Sequence, residues 1–279
     1  MININGKITS EKDVNIGYQN RAFKYGDGIF DTLKYSNKKI LFIEEHYFRL
    51  MSSMRMLRMH IPMDFTLKYY EDEIVKTIPS NSKNEEIRIR VSVYRKDGGL
   101  YNPKNNAVNF IMEATINNAL PMKFYEIELY KDFPIYSGLL STIKTNNRMV
   151  NVLASLFASE NKYQNCILIN ENKNIVEATN ANIFLIKGNV ISTPSLEEGC
   201  INGIIRKKII ELLQKETTFE VVETALSPFD LLKAEEIFLT NSIVEIQSVH
   251  KYRKRELATK KTEQVREMFL KMVNLNLDL

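Results

Sequence analysis

Cysteine is scarce in this chain: two residues, Cys166 and Cys200, in a length of 279. They form no close pair, which excludes a disulfide framework and leaves two neutral thiols suited to a reducing compartment. The three histidines, His46, His60 and His250, lack ligand spacing, so no metal site is expected. No run approaches eighteen apolar residues, and the opening Met-Ile-Asn-Ile-Asn-Gly has no basic segment leading into an apolar one. Neither a membrane span nor a signal peptide is expected, and the chain reads as cytoplasmic. Arginine-rich tracts, internal repeats and low-complexity segments are missing as well. With 38 basic residues against 34 acidic ones the formal charge is +4. That bias suits a small anionic substrate and falls short of a nucleic-acid-binding chain.

What is present is ordinary in amount and ordered in pattern. Hydrophobic residues make up 44% and charged residues 26%, and a chain of this length buries about 75% of its unfolded surface. Asn5-Gly6 supplies the positive φ angles of a hairpin over residues 1–10. Residues 28–34 and 39–43 read as a strand pair. From Glu44 to His60 the apolar positions Tyr47, Leu50, Met51, Met54 and Leu57 recur at three and four, which predicts a helix. A second helix follows, with Asp64 as its expected N-cap and Leu67, Tyr70, Ile74 and Ile78 along one face.

The period then changes to two. Ile87, Ile89, Val91 and Val93 alternate with Arg88, Arg90, Ser92 and Tyr94 as a strand, and 107–116 reads as another. Residues 117–122, Asn-Asn-Ala-Leu-Pro-Met, read as a linker. The expected division is a first domain over 1–116 and a second over 123–279. Strands are predicted in the second half over 126–132, 165–170, 182–186, 189–193, 219–222 and 236–241. Helices are predicted over 149–157 and 204–213, from Ser227-Pro228, and over 263–275. Helices and strands interleave in both halves, so the fold class is α+β or α/β in two domains.

Chemistry concentrates between Ser141 and Arg206. Lys144 offers an amine just before a helical pattern, Glu177 a carboxylate on a strand, and Gly203 opens a helix whose N-terminus suits a phosphate. Each signal alone is weak. They belong to a longer ordered set: Asn20-Arg21-Ala22, Tyr25-Gly26-Asp27-Gly28-Ile29-Phe30 and Glu45-His46-Tyr47-Phe48-Arg49-Leu50 in the first half. Lys144 and Asn147, Glu177-Ala178-Thr179-Asn180-Ala181-Asn182-Ile183-Phe184, Thr193-Pro194, Gly203-Ile204-Ile205-Arg206 and Phe238-Leu239-Thr240-Asn241-Ser242 complete it.

Over nearly the whole chain this set resembles the fold-type IV pyridoxal-phosphate enzymes. That family holds the branched-chain and D-amino-acid aminotransferases and the aminodeoxychorismate lyases. The resemblance implies a small N-terminal α/β domain, a larger C-terminal mixed-sheet, barrel-like domain with helices, and pyridoxal 5'-phosphate as cofactor. Lys144 would be the Schiff-base lysine and afterwards the base that moves the substrate proton. Glu177 would keep the ring nitrogen protonated. Arg49 would meet the phosphate with a guanidinium fork. Gly203, the amides of Ile204 and Ile205, the Thr240 hydroxyl and Asn182 would complete the cofactor site, and Tyr25 and Phe30 would meet the substrate. Two departures stand out: Ile205 replaces the family's usual threonine, and Asp31 stands where many aminotransferases carry glutamate. The expected partners are a small amino substrate and a second copy of the chain, whose 95–103 loop would reach over the pocket.

The shared residues do not separate amino transfer from carbon–oxygen elimination. Lys144-Thr145-Asn146-Asn147-Arg148 resembles the Lys-x-x-Asn-Arg pattern of aminodeoxychorismate lyases. Arg95-Lys96-Asp97-Gly98-Gly99-Leu100-Tyr101 is similar to their glycine loop, with one residue less before the tyrosine. Arg95 and Arg148 would meet the two carboxylates of such a substrate, and Arg88 reads as part of an ordinary polar strand face. The expectation is a 4-amino-4-deoxychorismate lyase-like enzyme that releases pyruvate and leaves 4-aminobenzoate, a folate precursor. The alternative is a class IV aminotransferase acting on branched-chain or D-amino acids with a 2-oxo acid acceptor. A non-catalytic binding protein that kept the fold is the third reading.

Overall fold

The computed structural model describes residues 1–82, 84–215 and 218–277. The chain divides into two compact units, one of residues 1–118 with 144–147 and one of 119–143 with 148–279. The return of 144–147 to the first unit has no counterpart in the division expected from sequence. No periodicity marks four residues that change allegiance.

The first unit is built on a six-stranded antiparallel sheet. Its order is Lys7–Thr9, Ile2–Ile4, Val108–Ile116, Ile87–Arg95, Gly28–Ser36 and Lys39–Ile40. Alternation works as predicted on the central strand, where Ile87, Ile89, Val91 and Val93 are all buried. The neighbouring strand presents Ile29, Asp31, Leu33 and Tyr35 to the buried side and Phe30, Thr32 and Lys34 to the other. Two helices, Ile43–Met56 and Leu67–Thr77, cover the buried side with Leu50, Met51, Met54, Tyr70 and Ile74. The first stops earlier than the apolar spacing suggests, because Arg58 takes a φ of +54° and turns the chain. The second is capped by Thr66 rather than the expected Asp64: the Thr66 hydroxyl accepts from Tyr69 N at 3.2 Å.

The second unit carries two five-stranded sheets. One runs Glu220–Thr224, Val190–Pro194, Asn182–Lys187, Glu236–Asn241, Glu245–Val249, and the other Arg255–Glu256, Lys251–Tyr252, Glu126–Leu129, Asn165–Ile169, Ile175–Ala178. They meet at the turn after Ala178, whose N–H donates to Ala181 O at 2.8 Å. Strands 165–169 and 175–178 are buried at every position and 182–187 at all but its last residue, so they read as apolar runs with no alternation. The strand expected at Glu177 is Ile175–Ala178, and without alternation its bounds are not marked in the sequence. Glu245–Val249 went unpredicted. The helix Ile204–Lys215 and the helix Lys260–Leu277 pack on the first of these sheets. Among the described residues no helix is long and apolar enough to cross a membrane, and no cluster of three or more His, Cys, Asp or Glu could hold a metal.

Candidate active site

Lys144 lies on a short ribbon laid beside the strand Gly28–Ser36. Phe30 N donates to Lys144 O at 2.8 Å, Asn146 N donates to Gly28 O at 2.9 Å, and Asn147 Nδ2 donates to Gly26 O at 3.3 Å. The glycines of Tyr-Gly-Asp-Gly make this approach possible. Gly26 has a φ of +63°, and a Cβ there would strike the Asn147 side chain; a Cβ at Gly28 would come within 2.7 Å of Asn146 Nδ2. Lys144 Nζ sits 5.1 Å from the centre of the Phe30 ring, and the Arg90 guanidinium carbon sits 3.9 Å from the same ring. Two cations therefore share one aromatic. Burial lowers the Arg90 pKa against the opposing pull of Glu113. Sequence reasoning weighed Arg88 on this polar strand face and passed over Arg90. The signal was available, since Arg90 shares the period-two face that carries Ser92.

Phe30 and Asp31 are adjacent in sequence and face opposite sides of the sheet. Asp31 is 1% exposed, on the helix-covered side. Its Oδ1 accepts from His46 Nδ1 at 3.1 Å and pairs with Arg49 Nη2, while Arg49 Nε is 3.4 Å from Oδ2. Burial acts to raise the Asp31 pKa, but the Arg49 guanidinium and the His46 ring together outweigh it and hold the carboxyl well below the usual carboxylate range. Burial also lowers the His46 pKa, so at neutral pH the ring is uncharged and donates through Nδ1. His46 and Arg49 reach one carboxylate because they are three apart on the helix. Residue 31 thus acts through Arg49, and its departure from glutamate lies away from the Phe30 face.

The second unit gathers five of the expected residues around the start of one helix. Glu177 Oε2 accepts from Ile201 N at 2.8 Å, and Asn182 Nδ2 donates to Ile201 O at 2.8 Å. Both side chains are 5% exposed. A Cβ at Gly203 would strike Asn182 Oδ1, so glycine is required where loop and strand touch. Ile204 then opens the helix Ile204–Lys215, whose first amides have no partner within the helix and carry its positive end. Thr240 lies directly across the sheet from Asn182. Its Oγ1 is buried and has no hydrogen-bond partner among the described residues. Arg148 donates from Nη2 to Ile143 O at 2.6 Å; burial lowers its pKa, with Glu177 opposing.

This donor set fits pyridoxal phosphate, the cofactor implied by resemblance. A buried hydroxyl without a partner, a glycine in contact and a helix N-terminus are what a phosphate dianion needs. Ile205 has a backbone amide in the first turn of that helix and no side-chain hydroxyl. The orphaned hydroxyl predicts opposite effects for Thr240→Val. Cofactor-free protein should keep or gain thermal stability, because a buried unsatisfied group is removed, while cofactor affinity should fall roughly 10- to 100-fold through loss of a hydrogen bond to a charged group. Melting curves with and without cofactor check this. Equal destabilisation of both forms would refute it.

Two residues expected at the substrate are placed differently from each other. Tyr25 is half-buried beside Gly26. Arg95 is 7% exposed and engaged at all three nitrogens. Nε donates to Asp27 at 3.0 Å, Nη1 to Asn106 Oδ1 at 2.5 Å and Arg58 O at 3.3 Å, and Nη2 to Leu57 O at 2.8 Å. Its guanidinium holds the protein's own loops.

A family model described as amino-transferase class IV matches residues 28–252. A putative branched-chain-amino-acid aminotransferase of Methanocaldococcus jannaschii is 29% identical, with 96% of this chain and 94% of that protein covered. An aminodeoxychorismate lyase of Vibrio harveyi is 26% identical over 82% of this chain and 84% of its own length. The crystal structure of a branched-chain aminotransferase from Thermoproteus uzoniensis with norvaline superposes with a TM-score of 0.90 at 20% identity, covering 98% of this chain and 94% of that one.

Proposed function

Because the chain belongs to the class IV aminotransferases, pyridoxal-phosphate enzymes, we propose that it transfers the amino group of a branched-chain amino acid to a 2-oxo acid. The observation that carries this choice is Arg95. Its guanidinium is engaged by Asp27, Asn106, Arg58 and Leu57, so it does not offer the extra cation that a dicarboxylate lyase substrate calls for. The lyase expectation keeps its two motif resemblances, at Arg148 and in the glycine loop, and loses Arg95 as a substrate cation. The two branched-chain relatives, from Methanocaldococcus jannaschii and Aquifex aeolicus, each at 29% identity, support the same choice.

The cofactor, when bound, supplies an electron sink for the carbon that loses its proton. Lys144 would hold the cofactor through its amine and would carry the proton to and from the substrate Cα. Glu177 would keep the ring nitrogen protonated. Thr240 and the amides after Gly203 would hold the phosphate, and the family resemblance gives Arg49 the same role. Arg90, beside Phe30, receives the substrate carboxylate, and Phe30 supplies an apolar surface to its side chain. The working form in this proposal is a homodimer. Met149, Val152 and Leu156 form an exposed apolar stripe at helical spacing on the helix Met149–Glu160, with Leu139 and Leu140 exposed nearby in the chain.

One preparation tests both readings. With pyridoxal phosphate, L-leucine and 2-oxoglutarate the protein should form glutamate, and it should elute as two chains. Pyruvate released from aminodeoxychorismate, with no glutamate from leucine, would overturn the aminotransferase reading in favour of the lyase. Glutamate from D-alanine alone would move the substrate to the D-amino acids.

A further inference from the structure

Two arginines of the first unit converge on one carboxylate. Asp27 accepts from Arg21 Nε at 2.8 Å and from Arg95 Nε at 3.0 Å. Arg95 ties this pair to the base of the following loop through Asn106. Arg21 ties it to the tip, where Nη1 donates to Gly98 O at 3.1 Å and Leu100 O at 2.6 Å. Arg21 is buried, at 3% exposure. Gly98 and Gly99 take φ angles of +112° and +78°, and a Cβ at Gly99 would strike the Asn102 carbonyl. The glycines let two carbonyls in one tight loop turn toward a single guanidinium.

A loop pinned at base and tip presents Leu100 and Tyr101 outward, at 73% and 90% exposure. The Tyr101 ring lies 5.7 Å from that of Tyr25, and the Arg21 guanidinium lies 4.9 Å from the Tyr25 ring centre. Tyr25 leads into Gly26, which carries Asn147 on the Lys144 ribbon. An apolar pair this constrained has given up its conformational freedom before any ligand arrives, which is how a surface selects by shape. Hydrophobic residues exposed on a stiff loop beside the amine-bearing ribbon are not explained by packing of the unit itself.

We propose that Arg21 is a positioning residue for the reaction: by holding the Gly98 and Leu100 carbonyls it fixes Leu100 and Tyr101 against Tyr25 as a preformed wall for the side chain of the amino substrate. The inference rests on the aminotransferase reading above. Arg21 acts through the loop, since its hydrogen bonds go to Asp27, Gly98 and Leu100. Lysine is no substitute, since one ammonium does not reproduce a fork that meets Asp27 with one edge and two carbonyls with another.

The test uses holoenzyme of the wild type, Arg21→Lys, Tyr101→Ala and the double variant, with L-leucine and 2-oxoglutarate. Tyr101 is too exposed for its removal to unfold the chain. Each single variant should raise KM for leucine by about tenfold, the size expected from losing the prior ordering of such side chains. kcat and cofactor affinity should hold within about twofold, and the double variant should be no worse than the worse single one, because both act through the same wall. KM unmoved in either single variant, multiplied effects in the double, or a loss confined to kcat and cofactor affinity would overturn the inference alone. A wild type that transfers no amino group from any amino acid would overturn the aminotransferase reading and the wall with it.

Discussion

Lys144→Ala should lower kcat by roughly 10³- to 10⁴-fold, the scale of a lost positioned base. It should also abolish the mass adduct that borohydride fixes on the wild-type holoenzyme. The substitution is well isolated. The contact that seats residue 144 is made by its carbonyl, which accepts from Phe30 N, and alanine keeps it. The side chain itself is only half-buried, so the unit should melt within a few degrees of the wild type. What disappears is the amine above Phe30. A variant that kept a tenth of the wild-type kcat would remove Lys144 from the chemistry, and with it the reading of the whole ribbon.

Asp31→Asn should destabilise the protein by about 3–5 kcal/mol, the cost of leaving a buried cation without its partner. Arg49 and His46 both address this one carboxylate. A neutral amide takes away the charge and turns half of the acceptor surface into a donor facing Arg49. The pH dependence follows from the sign of the shift. The folded-state pKa of Asp31 is depressed, so its contribution is complete above the unfolded value near 4 and is lost as pH falls through the much lower folded value. Urea unfolding at pH 7 should therefore show the full difference between wild type and variant, and the gap should narrow only in acid below about pH 4. A gap that closed between pH 8 and 5 would assign the effect to some other group.

The cluster of Glu177, Asn182 and Gly203 was legible because each position needs a particular residue type. Gly203 has to be glycine against Asn182, and Glu177 and Asn182 hold the same residue, Ile201, by its N–H and its carbonyl. The alternation of Ile87 to Val93 was equally plain, since one sheet face is covered by helices. Arg95 was not legible as a structural residue. Besides Asp27 and Asn106 it meets backbone carbonyls at Leu57 and Arg58, nearly forty positions away, and backbone acceptors leave no mark on sequence. Asp31 was readable in principle: an acid in phase with Ile29 and Leu33, facing a helix with His46 and Arg49 three apart, is placed to form a core ion pair. The cap at Thr66 was missed because Asp64 satisfies the same preference two positions earlier, and only geometry decides between them.

The excursion of residues 144–147 carries a consequence for synthesis. The first unit is not complete when its first 118 residues have been made, because its last four residues follow twenty-five that belong to the second unit. On a ribosome adding about 5–20 residues per second, the strand Gly28–Ser36 waits a second or more for the ribbon whose carbonyl it will donate to. During that interval the backbone N–H of Phe30 has no partner from the ribbon. The nascent chain can therefore pair all six strands of its sheet before residues 144–147 exist, and a truncated fragment ending at the linker would hold that sheet but lack the ribbon and the Lys144 amine.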